Sequence, residues 1–416
     1  MKKLISMLLA MVCLCSPALA MSFNMGREIT AAAMSGDLNE VYNQLPRKHV
    51  ELFGQMTEEA WAAEKARIAE RLPELTPAQF YYELRHMLAM AGDAHTTVTF
   101  GTDQYEYLRA LPFAIGWYAG EWRVLMLEDA NAQYLGWQLT AINGVPMDEV
   151  FERAKSIISH ENEHWARGQL SNTINFIDAL QYLGIADMDA DSVTLHICEG
   201  GEEALLEIPA MDRETIMSAD IAAFAPEDPA QTMYIRGYYS AFALDEKTMY
   251  VQYNQCTEDP QLPMSEFSDA VLEWMKGAGC DKLVFDLRHN AGGDSRVILP
   301  FVEAVQAYQQ ENGLDVYALI GQGTFSSGTM AMLEAKWRLN AKLVGEPTGG
   351  AMACYGDVRQ FQLPNMPLIV GYSTQEFVFM EGYEHGQPMC PDVSVEMTFE
   401  DYRSGRDPVV EWVMAQ

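Results

Sequence analysis

The chain has 416 residues, 49% of them hydrophobic, and a formal charge of −32. That length suggests about two to three domains, and so acidic a body repels nucleic-acid phosphates and anionic lipid, so neither is an expected partner. Cys198, Cys256, Cys280, Cys354 and Cys390 are scattered, odd in number and form no CxxC pair, which argues against a disulfide framework or a cysteine-rich zinc knot while leaving a single bridge open.

Residues 1–20 read as a cleaved signal peptide. Lys2 and Lys3 form the positive start, Leu4 to Leu14 the apolar core, and Ala18-Leu19-Ala20 a small-x-small cleavage site. The apolar run is too short to span a bilayer, and bulky Leu14 before Cys15 speaks against a lipoprotein anchor; a retained N-terminal anchor is the alternative. The expectation is an exported protein whose mature chain carries no integral membrane segment. Residues 21–110 form a helical N-terminal segment. Met56, Ala60, Ala63, Ile68 and Leu72 recur at helical spacing. A following helix has Thr76 as N-cap, Pro77 at its first position and Gly92 as its stop. His95 then sits on a short exit before the strand-like TTVTF.

Residues 111–220 turn to short strands, with Asn143-Gly144 as a hairpin signal. A long helix is expected over Asp148–Leu183, and a hairpin over 191–208. Residues 221–245 read as a linker. From 246 to 416 strand and helix alternate, which predicts an α/β layer on a largely parallel sheet with ligands beyond the carboxyl ends of its strands.

Three loops follow strands of that layer. RHNAGGD brings the paired Gly292 and Gly293, able to let backbone N–H groups approach a substrate. GQGTFSSGTM puts Ser326 and Ser327 at a helix start, where unpaired N–H groups favour negative charge. GEPTGGAMACYG is the third. Each has a plainer reading, a turn for the glycines and a helix cap for the serines.

LVFDLRHNAGGD, GTFSSGTMAMLEAK and AKLVGEPTGG, in that order, resemble the C-terminal processing (tail-specific) serine peptidases, as do DAHT at 93–96 and PDVSVEMTFEDYRSGRDPV near the end. The resemblance implies a crotonase-like α/β core, a helical N-terminal segment and a degenerate PDZ-like module, in which LGWQLTAINGVP is similar to a PDZ strand and turn. It implies Ser326 as nucleophile, with Gly292 and the Ser327 N–H at the oxyanion positions, and a polypeptide as substrate. No cofactor is implied. The family's lysine base falls on Ala351, its S-x-x-E glutamate on Thr329, and Lys336 and Lys342 are the nearby lysines. A serine without a base is a poor nucleophile. His95 resembles the histidine of the tricorn-core branch and has the right unperturbed pKa range, although Ala94 replaces that branch's serine. Glu384 resembles its orienting glutamate, with Glu381 and Asp93 as alternatives. A capping or structural role for His95 stays open.

HENEH, at 160–164, spells H-E-x-x-H, and on a helix His160 and His164 share a face. The third ligand is missing, because HWARGQLSNT has Gly168 one position late and no histidine closes the motif. The stretch is read as a solvated helix face, with Glu161 and Glu163 adding only charge. The expectation is an exported serine endopeptidase. A peptide-binding relative without turnover is the alternative, and a zinc hydrolase the minor one.

Overall fold

The computed structural model describes residues 29–416; the expected signal peptide lies outside the described residues. Three helices come first, α1 (Ala31–Lys48), α2 (Glu58–Arg71) and α3 (Pro77–Ala89). Each is capped by a threonine, Thr30, Thr57 or Thr76, whose hydroxyl accepts a backbone N–H three residues on. Thr76 and Gln79 complete a reciprocal capping box, with Pro77 at the first position. β1 (Val98–Phe100) follows.

The middle of the chain is a seven-stranded antiparallel sheet. Its main run is β2 (Ala114–Tyr118), β3 (Glu121–Glu128), β4 (Gln138–Ile142), β5 (Ser192–Glu199) and β6 (Glu202–Pro209). The single helix expected over Asp148–Leu183 is instead α4 (Met147–Ala154), α5 (Glu163–Ile174) and α6 (Ile177–Tyr182). Asn162 is the reason for the first break. Its side chain accepts the Trp165 N–H at 3.1 Å and so starts a new helix, leaving 158–162 irregular. Within the stretch expected as a linker, Ile221–Ala223 pairs with β3, and β7 (Tyr239–Ala243) forms an edge of the next sheet.

The last part carries β8 (Thr248–Tyr253), α7 (Met264–Ala278), β9 (Lys282–Asp286), α8 (Leu299–Asn312), β10 (Asp315–Ile320), α9 (Ser327–Arg338), β11 (Lys342–Gly345), β12 (Ala353–Gln362), β13 (Leu368–Val378), β14 (Val393–Ser394) and α10 (Pro408–Met414). The strand order β14-β11-β10-β9-β8-β7 is parallel except for β7. Side chains alternate across this sheet, as a pleat demands. Met249, Val251, Leu283, Phe285, Ala318 and Leu343 pack with residues of α7, α8 and α9 such as Phe267, Phe301 and Met332. Tyr250, Val284, Leu319 and Val344 face the other way, onto Val409, Val410 and Val413 of α10. Both faces are covered, which is why these strands read as unbroken apolar runs.

β12 and β13 leave this sheet and pair with β1 in a separate antiparallel one, β1-β13-β12. That sheet shares a core with the N-terminal helices, through Leu38, Trp61, Phe80, Val98, Leu368 and Val370. A C-terminal hairpin thereby holds the strand just after His95. Among the described residues no helix is long and apolar enough to cross a membrane, and the five cysteines there are free.

The loop leaving β9 is braced by charge. Arg288 donates to Asp286 (2.6 Å) and to Asp407 (2.8 Å) at the start of α10, and Tyr250 donates to the same Asp286 oxygen at 2.5 Å. Asp286 is wholly buried and Asp407 2% exposed. Truncating one partner leaves a buried charge uncompensated, which costs about 3–5 kcal/mol. Asp407→Ala should therefore lose about that much in urea unfolding, and a loss under 1 kcal/mol counts against the brace.

Candidate active site

Two segments far apart in the chain meet at a cleft of about 2800 Å³, lined among others by His95, Glu161, Trp165, Gly293, Ser326 and Ala351. His95 Nε2 lies 3.0 Å from Ser326 Oγ across a separation of 231 residues. The expected pair is thus brought into hydrogen-bond contact.

Ser326 sits where β10 turns into α9. Its backbone has φ 51° and ψ −126°, a left-handed conformation that costs a non-glycine residue about 1–3 kcal/mol. Although it holds the N-cap position, its hydroxyl makes no capping bond, so the oxygen is left for the imidazole. Ser327 is different. Its hydroxyl donates to Gly293 O at 2.7 Å and ties the serine loop to the glycine loop.

Gly292, at φ 111°, comes so close that a Cβ there would stand 2.8 Å from Ser326 Cβ and 3.0 Å from Ser327 N. Its own N–H, however, donates to Asn290 Oδ1 at 2.9 Å. Among the described residues, neither the Gly293 N–H nor the Ser327 N–H donates a hydrogen bond. Asn290, fully buried, steers the loop by donating to Tyr253 O and accepting from Gly292.

His95 is held by its backbone and by its ring. Its backbone N–H donates to Asp93 Oδ1 at 2.9 Å. Its ring stacks on Phe325 (4.6 Å between centroids), which stacks in turn on Trp165 at 3.8 Å. Asp93 Oδ2 also accepts from His49 Nε2 (3.0 Å), Thr96 Oγ1 (2.6 Å) and Ser373 Oγ (2.7 Å). The His49 tautomer follows from its other nitrogen, because Nδ1 accepts the Glu51 N–H, so Nε2 carries the proton. Burial alone raises the Asp93 pKa, but hydrogen bonds from His49 and Thr96 and the His95 ring beside it outweigh it and hold the carboxyl well below the usual range.

The expected orienting acid is not at the ring. Glu384 is exposed, as is Glu381; the Glu384 backbone is engaged with Gln387, its N–H donating to Gln387 Oε1 and its carbonyl accepting the Gln387 N–H. The carboxylates within 4 Å of His95 Nδ1 are Asp93 Oδ1 at 3.6 Å and Glu161 Oε1 at 3.9 Å. Glu161 is the second residue of HENEH, and its side chain is 1% exposed, so the solvated-face reading of that residue is overturned. The motif is not a helix face either. α5 begins at Glu163, His160 Nδ1 bonds Ile158 O at 2.7 Å, and the pair therefore lacks the helical i, i+4 relation. Asn162 followed by an acidic first turn was the signal of a helix start that separates the two halves. Nothing in spacing pointed to Glu161, Phe325 or Trp165 as neighbours of the histidine.

Ala351 lines the cleft and is 1% exposed. Neither lysine considered from the sequence replaces the missing one. Lys336 reaches Asp392 at 3.4 Å, and Lys342 lies over the Trp412 ring. Asp93 also sets an acid sensitivity. A carboxyl with a depressed folded pKa contributes stability that is complete above its unfolded value of 3.8 and fades as pH falls below it. Asp93→Asn should destabilise the protein by about 1.5–3 kcal/mol at neutral pH through weakened hydrogen bonds to a charged group, with the gap to wild type narrowing in urea titrations below pH 3.8. An unchanged gap there would contradict the assignment.

No family model matches the sequence, and no curated protein does. Solved structures do. Mature CPAF complexed with lactacystin aligns over 93% of this chain and 98% of its own, with 14% identity and a TM-score of 0.61. Mature CPAF alone aligns over 93% and 96%, with 13% identity and a TM-score of 0.62. The photosystem II D1 C-terminal processing protease aligns over 90% and 99%, with 14% identity and a TM-score of 0.40. The chain has the fold of mature CPAF, over nearly the full length of both proteins.

Proposed function

We propose that this chain is an exported serine endopeptidase of the C-terminal processing type, nearer the histidine-containing branch than the Ser/Lys branch. The observation that carries the reading is the 3.0 Å contact between His95 Nε2 and Ser326 Oγ, made by a serine in a strained turn whose hydroxyl does no capping. With the Ser326 hydroxyl donating, Nε2 is the acceptor and Nδ1 carries the ring proton. Ser326 Oγ attacks the scissile carbonyl while His95 takes its proton, then returns it to the leaving amine. Negative charge builds on the former carbonyl oxygen. The Ser327 N–H and the glycine pair are the donors for it, Gly293 directly and Gly292 once its N–H turns from Asn290. One such donor is worth about 3 kcal/mol in other enzymes.

With this reading go the crotonase-like assignment of 246–416, the degenerate PDZ-like assignment of 111–220 and the helical segment 21–110, with the linker of 221–245 cut to the stretch 224–238 between the two sheets. The similarity of the fold to mature CPAF supports it, and the open cleft suits a polypeptide better than a small metabolite. A fluorophosphonate probe tests it on the purified protein. Wild type should be labelled, Ser326→Ala should not, and His95→Ala should label about 10⁴- to 10⁶-fold more slowly. Lactacystin, found complexed with mature CPAF, is a second probe for the same serine. A chain that binds peptides but is never labelled is the non-catalytic relative instead.

A further inference from the structure

We infer that Glu161, delivered by the irregular segment between α4 and α5, is the positioning residue for the His95 imidazole. The inference deepens the serine-peptidase reading and rests on it. With Nε2 facing the serine hydroxyl, Nδ1 must carry the ring proton, and that nitrogen is buried without a hydrogen-bond partner. An orphaned buried donor costs about 1–3 kcal/mol. Both Glu161 carboxylate oxygens are buried and orphaned too. Two unsatisfied groups of complementary kind therefore face each other across 3.9 Å.

Asp93 is nearer, at 3.6 Å, but it is committed. Oδ1 takes the His95 N–H, and Oδ2 takes His49, Thr96 and Ser373. Swinging it to the ring breaks bonds that hold the loop. Glu161 makes no hydrogen bond and has only the Ala94 backbone close by, and a side-chain movement of about 1 Å brings it to hydrogen-bond length. Catalytic contacts are commonly loose before substrate binds. The backbone that carries Glu161 is already fixed. Ser159 Oγ donates to Thr96 O at 2.6 Å, and Asn162 Nδ2 donates to Gly349 O at 2.8 Å. Gly386, at φ 82°, lets its loop press against the Glu161 carbonyl, where a Cβ would lie 2.4 Å away. Only the side chain has to move.

Burial and the nearby Asp93 charge push the Glu161 pKa well up. The other groups facing it are the His95 imidazole and, from β12, the Cys354 thiol, itself pushed up by burial and by the two carboxyls. An imidazolium forming beside it favours the carboxylate, because opposite charges offset each other's desolvation. The middle of the chain supplies this group, so the site is complete only when that part is docked on the core.

NMR of the His95 ring in full-length Ser326→Ala protein reads the contact without turnover. Adding Glu161→Gln should lower the His95 pKa and remove its downfield Nδ1 proton signal, whereas adding Glu384→Gln should change neither. In the active chain, Glu161→Gln should lower kcat by about 10²- to 10⁴-fold with little change in KM. The acid limb of its pH profile should move to lower pH, because an anion near the imidazole has been removed. A His95 titration indifferent to Glu161→Gln overturns the proposal even if the probe labels wild type. Signals that respond only to added Zn²⁺ also overturn it, since Asp93, His95 and Glu161 offer ligand atoms within 4.8 Å of one another. Coupled titration in an unlabelled wild type instead upholds the contact and rejects the peptidase reading.

Discussion

The site depends on one buried carboxylate. Asp93 accepts hydrogen bonds from His49 on the N-terminal helical segment, from His95 and Thr96 on its own loop, and from Ser373 on β13. A charge at 0% exposure is affordable only with such saturation. Because those donors come from three places in the chain, satisfying Asp93 also brings the places together. Val50 strengthens the same junction by donating to Ser373 O. The His95 loop is consequently set by the N-terminal helices and the C-terminal hairpin jointly, before any contact with the serine.

The serine side is built on a different economy. Ser326 occupies a backbone conformation that an L-residue resists, and the surrounding loops hold it there. Asn290 fixes the glycine loop, Ser327 ties that loop to α9, and Arg288 with Asp286 and Asp407 anchors the exit of β9. These ties lie at the carboxyl ends of β9 and β10, where a parallel sheet leaves room for a ligand. The imidazole approaches from outside this sheet and is aligned by the ring stack through Phe325 to Trp165. The resulting 3.0 Å contact therefore joins two independently braced halves.

What could be read from sequence follows from how local the causes are. Thr76, Pro77 and the buried runs of β8, β9 and β10 act through neighbours within a few residues, so caps and parallel strands were legible. The contiguous motif around Ser326 and the short motif around His95 pointed to two side chains that the fold brings to 3.0 Å of each other. Glu384 misled because resemblance fixes a place in the chain and not a direction in space; the loop bearing it turns that side chain to solvent, while neighbouring His385 reaches back to Gly92 O at 3.0 Å. HENEH misled in the opposite sense. Its histidines attract attention, yet Asn162 divides the motif by capping a new helix and sends Glu161 inward. Long-range packing decides both outcomes, and no periodicity encodes it.

The two acids near the imidazole illustrate why a well-satisfied group and a movable one are not interchangeable. Every hydrogen bond that stabilises the Asp93 charge also restricts where its oxygens can go, and lowers the reward for approaching a new proton donor. Glu161 has the reverse character: burial without partners makes its charge costly, and for that reason its ionisation is sensitive to a positive charge appearing nearby. A lysine at position 351 would have brought a permanent candidate for that positive charge on the core itself, and Ala351 brings none. In this chain the imidazole that meets the serine arrives with a loop from before β1, and its polar surroundings arrive with the segment before α5. Alignment of that contact is then a property of how the three sheets pack, and substitutions at their junctions reach the serine without touching it.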